Sequence, residues 1–173
     1  ASVVALLIGA GLMVGDLGGG ARRGTATLTV YAANLAFFRS DISANVAEVV
    51  RADPDVAVFQ EVTPGYLKQL RTGLRGRYAE VVAAPRDDAL GAAMFARIEV
   101  RSSAIRMIDG SPTPTADVVA TDGTVVRVMG VHATPPFFGL STWQRQHQEL
   151  AALANEADRV VVAGDFNAIG RLQ

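Results

Sequence analysis

Four apolar runs of the sequence each give way to a loop through a polar side chain. TLTVYAANL (27–35) closes on Asn34, and VAVFQE (56–61) on Gln60 and Glu61. TVVRVMGVH (124–132) ends in His132, and RVVVAGDFN (159–167) ends in Asp165 and Asn167. Glu61 and Asp165 offer oxygen ligands suited to Mg²⁺ or Mn²⁺. Asn34 and Asn167 orient water or phosphate without adding negative charge. His132 exchanges or donates a proton near neutral pH. Together they form a kit for metal-assisted hydrolysis of a phosphate ester. Each residue also has a plainer reading. Glu61 fits a solvated strand end, Asn34 a turn cap, His132 a structural histidine, and GDFN a Gly-Asp turn with an Asx cap. The joint pattern favours chemistry, because strand ends in layered α/β proteins converge on one edge where ligands sit. His147, amid WQRQHQ, reads as a helix-surface residue outside the site.

The elements that must position these residues follow from periodicity. SDISANVAEVVRADPD (40–55) reads as a helix capped by Ser40 or Asp41, striped by Ile42, Val46, Val49 and Val50, and stopped by Pro54. VAVFQE is a nearly continuous apolar run, as expected of a strand covered on both faces. TPGYLKQLRTGLRG (63–76) reads as a second helix with Thr63 as cap and Pro64 as first residue. The period then shortens through YAEVV (78–82), GAAMFA (91–96), VRSSAIRMI (100–108), ADVVAT (116–121) and TVVRVMGVH (124–132). Asp122-Gly123 marks a hairpin between the last two. STWQRQHQELAALANEAD (141–158) returns to helix, with Trp143, Leu150, Leu153 and Ala154 on its buried side. The order is β-α-β-α, a run of antiparallel strands, then α-β. A doubly wound parallel sheet would alternate throughout, so two stacked sheets with helices outside fit better.

The 173 residues suit one domain, and half of them are hydrophobic with 19% charged, which fits a packed core. A net charge of −1 argues against a large basic footprint for nucleic acid. The absence of cysteine excludes disulfides and thiolate metal sites. ASVVALLIGAGLMV (1–14) carries no charged side chain. It fits the trailing part of a transmembrane helix, the remnant of a signal peptide, or a buried element of the domain itself. Residues 15–26 read as a Gly-rich linker, and residues 27–173 as the folded domain.

YAANL (31–35), DPDVAVFQEV (53–62), GAAMFAR (91–97), VMGVHATPP (128–136) and VVVAGDFNA (160–168) resemble, in order and spacing, the endonuclease/exonuclease/phosphatase superfamily. The similarity runs from about residue 27 to 169, and its flavour is that of the bacterial branch with hydrophobic N-terminal segments. The resemblance implies a four-layer α/β/β/α sandwich of two mixed or antiparallel sheets, and divalent-metal-dependent cleavage of phosphate esters. It implies that Glu61 is the principal metal ligand, with Asn34 supporting the metal shell. Asp165 would align or activate the attacking water, Asn167 would hold the scissile phosphate, and His132 would contact the phosphate. The substrate is a phosphate ester such as a nucleic acid, a phospholipid or an inositol phosphate.

The family pattern continues beyond GDFNA to a further strand and a closing Asp-His pair, and this sequence contains no Asp-His dipeptide. The expectation is therefore a fragment, incomplete at the C-terminus, of a longer membrane-associated or exported hydrolase, with little turnover of its own. The alternative is a catalytically dead binding module tethered to the membrane through its N-terminus.

Overall fold

The computed structural model describes residues 27–167. The first half alternates strand and helix: β1 (Val30–Asn34), α1 (Ser43–Ala52), β2 (Val56–Gln60) and α2 (Pro64–Gly73). A run of strands follows: β3 (Ala79–Ala84), β4 (Ala92–Ala96), β5 (Val100–Ile108), β6 (Ser111–Val119) and β7 (Val125–His132). A 3-10 turn (Pro136–Phe138), α3 (Leu140–Ala154) and β8 (Val160–Asp165) close the described chain. The strands form two four-stranded sheets, ordered β1-β2-β4-β3 and β5-β6-β7-β8. In each sheet one pair is parallel, β1 with β2 and β7 with β8, and the other pairings are antiparallel.

The period-two alternation of the strands separates three apolar layers. Tyr31, Ala57, Phe59, Ala93 and Phe95 face α1 and α2, where Val49, Leu67 and Leu70 meet them. Their neighbours Val30, Val56, Val58 and Met94 turn the other way, onto Val118, Val128, Val161 and Ala163 of the second sheet. On the far side of that sheet, Met129 and Val131 take Leu150, Trp143 and Leu153 of α3. Three cores between helix, sheet, sheet and helix make the four-layer α/β/β/α sandwich. The sheets approach closely at Gly130, where a Cβ would strike a methyl of Val58 in the facing sheet.

Several boundaries differ from the sequence reading for local reasons. The N-cap of α1 is Ile42, with no side-chain cap; Asp41 instead accepts the Ser43 N–H and hydroxyl just outside it. Helix α1 stops at Ala52, with Asp53 in the left-handed region (φ 46°) ahead of Pro54. Thr63 does cap α2, its hydroxyl accepting the Tyr66 N–H, with Pro64 as first residue. Strand β6 starts at Ser111, earlier than expected, and runs through Pro112 and Pro114. Those prolines pair with β5, while the pairing with β7 begins only at Thr115. Their missing N–H groups thus fall on a stretch that β7 does not pair.

Phe59 and Phe95 are fully buried, each stabilising the fold by about 1.5–3 kcal/mol. Phe38, Phe137 and Phe138 contribute none of this, being 79%, 76% and 76% exposed. Among the described residues no helix is long and apolar enough to cross a membrane. The apolar segment 1–14 and the linker 15–26 lie outside the described residues.

Candidate active site

Two parallel pairs, one in each sheet, bring the polar strand ends to one edge. Asn34 ends β1 beside Gln60 at the end of β2, and His132 ends β7 beside Asp165 at the end of β8. β1 and β2 face β8 and β7 across the middle layer. The four strand ends therefore meet from opposite sheets, at the position where a ligand reaches carboxyl ends of strands.

Asn34 joins the two halves. Its Nδ2 donates to Glu61 Oε1 at 2.8 Å and to Asp165 Oδ2 at 3.2 Å, although Asp165 lies 131 residues away. Its Oδ1 accepts the Ala36 N–H at 2.9 Å, so it caps a turn as well. The turn-cap reading of Asn34 therefore holds, and the same side chain bridges the two carboxylates.

Glu61 is not a solvated strand end. Its side chain is 14% exposed, and its second oxygen accepts the Phe37 N–H at 2.9 Å. Its backbone sits in the left-handed region at φ 59°, where a non-glycine residue costs energy. The strain turns the carboxylate back over the strand end toward Asn34. Neither Glu61 nor Asp165 has a lysine or arginine partner among the described residues; the one basic group within reach is His132. Its Nε2 lies 3.8 Å from Glu61 Oε1 and 4.0 Å from Asp165 Oδ2. Its Nδ1 lies 2.9 Å from the Ala89 carbonyl, which only accepts. Nδ1 therefore carries the hydrogen, and Nε2 faces the carboxylates.

The Asn167 side chain stands apart from these four residues and shares no side-chain hydrogen bond with them. Its backbone N–H closes an Asx turn on Asp165 Oδ1 at 2.9 Å, and its Nδ2 donates to the Ala133 carbonyl. It ties the end of β8 to the residue after His132, with its backbone at φ 45°. His147 is outside the site: its ring stacks on Trp143 at 4.1 Å, and its Nδ1 donates to the Trp143 carbonyl.

The sequence reading gave no role to the support beneath these groups. The Ala89 carbonyl and the Phe37 N–H are backbone groups, and no side-chain pattern announces them. Gln60 is 2% exposed with an Nε2 that finds no partner. It lies against Gly164, where a Cβ would strike the Val131 carbonyl and come within 2.9 Å of Gln60 Nε2. The glycine of GDFN is thus a packing requirement, and the QE and GDF segments interlock.

The donor chemistry fits a hard divalent cation. Among the described residues two carboxylates converge with no fixed cation to offset them, and carboxylate oxygens are the donors such an ion prefers. Among the described residues no group of three or more acidic or imidazole side chains forms a ready-made cage. An ion held by Glu61 and Asp165 would need water to complete its shell, as Mg²⁺ usually does.

The model of the endonuclease/exonuclease/phosphatase family matches residues 32–172, a span that contains all five of these residues. The chain belongs to this family. Enzymes of the family generally hydrolyse phosphate esters with divalent metal ions. No protein of curated function matches the sequence. Among solved structures, a humanized TDP2 of D. rerio is similar, with a TM-score of 0.71 and 18% identity over 83% of this chain and 63% of that one. D. rerio TDP2 in complex with a single-strand DNA product aligns with a TM-score of 0.69 and 19% identity, over 83% of this chain and 62% of that one. A mannosyl-6-phosphatase of Bacteroides thetaiotaomicron aligns with a TM-score of 0.64 and 18% identity, covering 84% of this chain and 67% of that one. Likeness at such identity establishes the fold. The chain spans less than two thirds of the length of the TDP2 chains.

Proposed function

We propose that this chain carries the metal and phosphate subsites of a divalent-metal-dependent phosphoesterase. One observation carries the reading: Glu61 and Asp165, from different sheets, share the Asn34 amide and have no fixed cation among the described residues. A like-charge pair with one nearly buried member is costly unless a cation or proton joins it. The names of the structural neighbours, a DNA-bound TDP2 and a mannosyl-6-phosphatase, support a phosphate ester as substrate.

In this reading Glu61, braced by the Phe37 N–H, is the principal ligand of Mg²⁺ or Mn²⁺, and Asn34 supports it. The bound ion would supply Lewis-acid polarisation of a phosphoryl oxygen. Asp165 orients a water for attack. His132, its tautomer set by Ala89, meets the phosphate with Nε2 and stabilises developing charge when protonated. Asn167 holds the end of β8 against Ala133, and its remaining amide hydrogen contacts a phosphate oxygen.

A second reading is a module that binds metal without hydrolysis. It is favoured by one observation: among the described residues His132 alone of the two histidines meets the carboxylates, and His147 is committed to α3. Calorimetric titration with Mg²⁺ and Mn²⁺, beside hydrolysis of bis(p-nitrophenyl) phosphate, tests both. Glu61→Gln should weaken metal binding by at least about tenfold while the fold melts as before. Unchanged affinity in that variant would sink the phosphoesterase reading. Metal binding without hydrolysis would select the second.

A further inference from the structure

Two phenylalanine pairs flank the carboxylate cluster on loops that hold them out. Phe37 and Phe38 occupy the centre of the turn closed by the Arg39 N–H on the Ala36 carbonyl. The buried Tyr66 hydroxyl braces that turn, 3.0 Å from the Ala36 carbonyl and 2.6 Å from that of Arg39. Turn centres favour Gly, Pro, Asn, Asp and Ser, so two phenylalanines there are not explained by turn chemistry. Core packing does not explain them either, as Phe38 is 79% exposed. Phe137 and Phe138 sit in the 3-10 turn that follows His132, each 76% exposed, with Leu140 beside them at 58%. Gln146, 1% exposed, pins the base of that loop through the N–H and hydroxyl of Thr134. Both pairs are thus presented by braced backbone at the edge where the site opens.

The charges at this edge select the partner. Among the described residues its loops, strand ends and the first turns of α3 carry three arginines, Arg39, Arg86 and Arg145, against Asp41, Glu61, Asp87, Asp88, Asp109 and Asp165. Arg86 is paired with Asp88, and Asp109 with Arg145. The edge is therefore apolar and acidic. Base-stacking aromatics on single-stranded nucleic acid work beside a positive groove that follows the phosphates, and the described residues of this edge form none. Anionic lipid is disfavoured for the same reason. Exposed Phe and Leu with little positive charge suit insertion into the headgroup boundary of a zwitterionic bilayer.

We infer that Phe37, Phe38, Phe137, Phe138 and Leu140 form a docking surface for a zwitterionic lipid bilayer, which brings phosphate-ester headgroups to the carboxylate cluster. The supply of substrate in this inference rests on the phosphoesterase reading; the docking does not.

The full chain has no cysteine, so Leu140→Cys carries one environment-sensitive fluorophore at a known place. Arg75→Cys, in the exposed loop between α2 and β3 at the opposite edge, is the control. Phosphatidylcholine vesicles should shift the emission of the Leu140 label to the blue and leave the Arg75 label unchanged. Phe38→Ser, Phe137→Ser and Phe138→Ser together should weaken this partitioning by at least roughly tenfold with an unchanged melting temperature. Glu61→Gln should dock as the parent does, so failed hydrolysis and failed docking remain distinguishable. The inference is overturned if vesicles bind without moving the Leu140 label, as they would if anchored through residues 1–14 alone. It is equally overturned if the serine variant responds like the parent, or if a single-stranded oligonucleotide moves the label and vesicles do not.

Discussion

Glu61 lies in the left-handed region, nearly buried and held by a backbone N–H, so its carboxylate is fixed in place and is not a solvated strand end. Its polar neighbours were legible because each follows an apolar run directly. Their supports were not, because the Ala89 carbonyl and the Phe37 N–H belong to the backbone of loops. Gly164 lies between these cases: the motif shows it, and packing explains it. We expect Gly164→Ala to destabilise the fold by at least about 2 kcal/mol, because the new methyl meets the backbone of Val131 at φ 138°. Thermal melting should register this as a drop of roughly 5 °C or more. A variant with unchanged melting would show that β8 shifts freely against β7, and the Asp165 geometry would then not be fixed by packing.

Strands β6 and β7 show how an element is held in register away from the site. Asp117 of β6 lies opposite Arg127 of β7, with Oδ1 2.8 Å from the guanidinium Nε, and it also accepts the Ser102 hydroxyl of β5. Hydrogen bonding to Arg127 holds the Asp117 carboxyl below its ordinary range. A carboxyl depressed in the folded state stabilises the protein above its unfolded value of about 3.9. That contribution disappears as the pH falls through the lower folded value. Asp117→Asn should therefore cost about 1 kcal/mol at neutral pH and progressively less in acid. Urea melts at pH 7 and pH 3 check this, and a cost that grows in acid would contradict the pairing. The start of β6 illustrates a limit of local reading. Pro112 and Pro114 argue against a strand in the sequence, yet they are accommodated where β7 has not begun to pair.

Across the molecule, the site exists because two sheets are pressed together. Gly130 of β7 lies against Val58 of β2, and the same two strands end at His132 and Gln60. Gly130→Ala should push the sheets apart at that point and destabilise the fold by about 1–3 kcal/mol. Adding Val58→Ala should recover part of the loss, since the clash involves a side-chain methyl, and a double-mutant cycle by thermal melting measures the coupling. Strictly additive costs would mean that the sheets do not meet there. Metal affinity measured on the same variants reports whether the spacing of Glu61 and Asp165 follows the sheets.

Periodicity alone was enough for the alternating faces, the Thr63-Pro64 helix start, the Asp122-Gly123 hairpin and the polar residues at strand ends, because these depend on neighbours within a few positions. Element order pointed to two stacked sheets with helices outside, and family resemblance supplied the four named layers and the expected role of each residue. Which strands are neighbours, and that Asn34 reaches both Glu61 and Asp165, required the folded chain, because those contacts span from 27 to 131 residues and depend on how the two sheets stack. The exposure of the phenylalanines was equally a tertiary matter, because Tyr66 and Gln146, distant in sequence, brace the loops that hold both pairs outward.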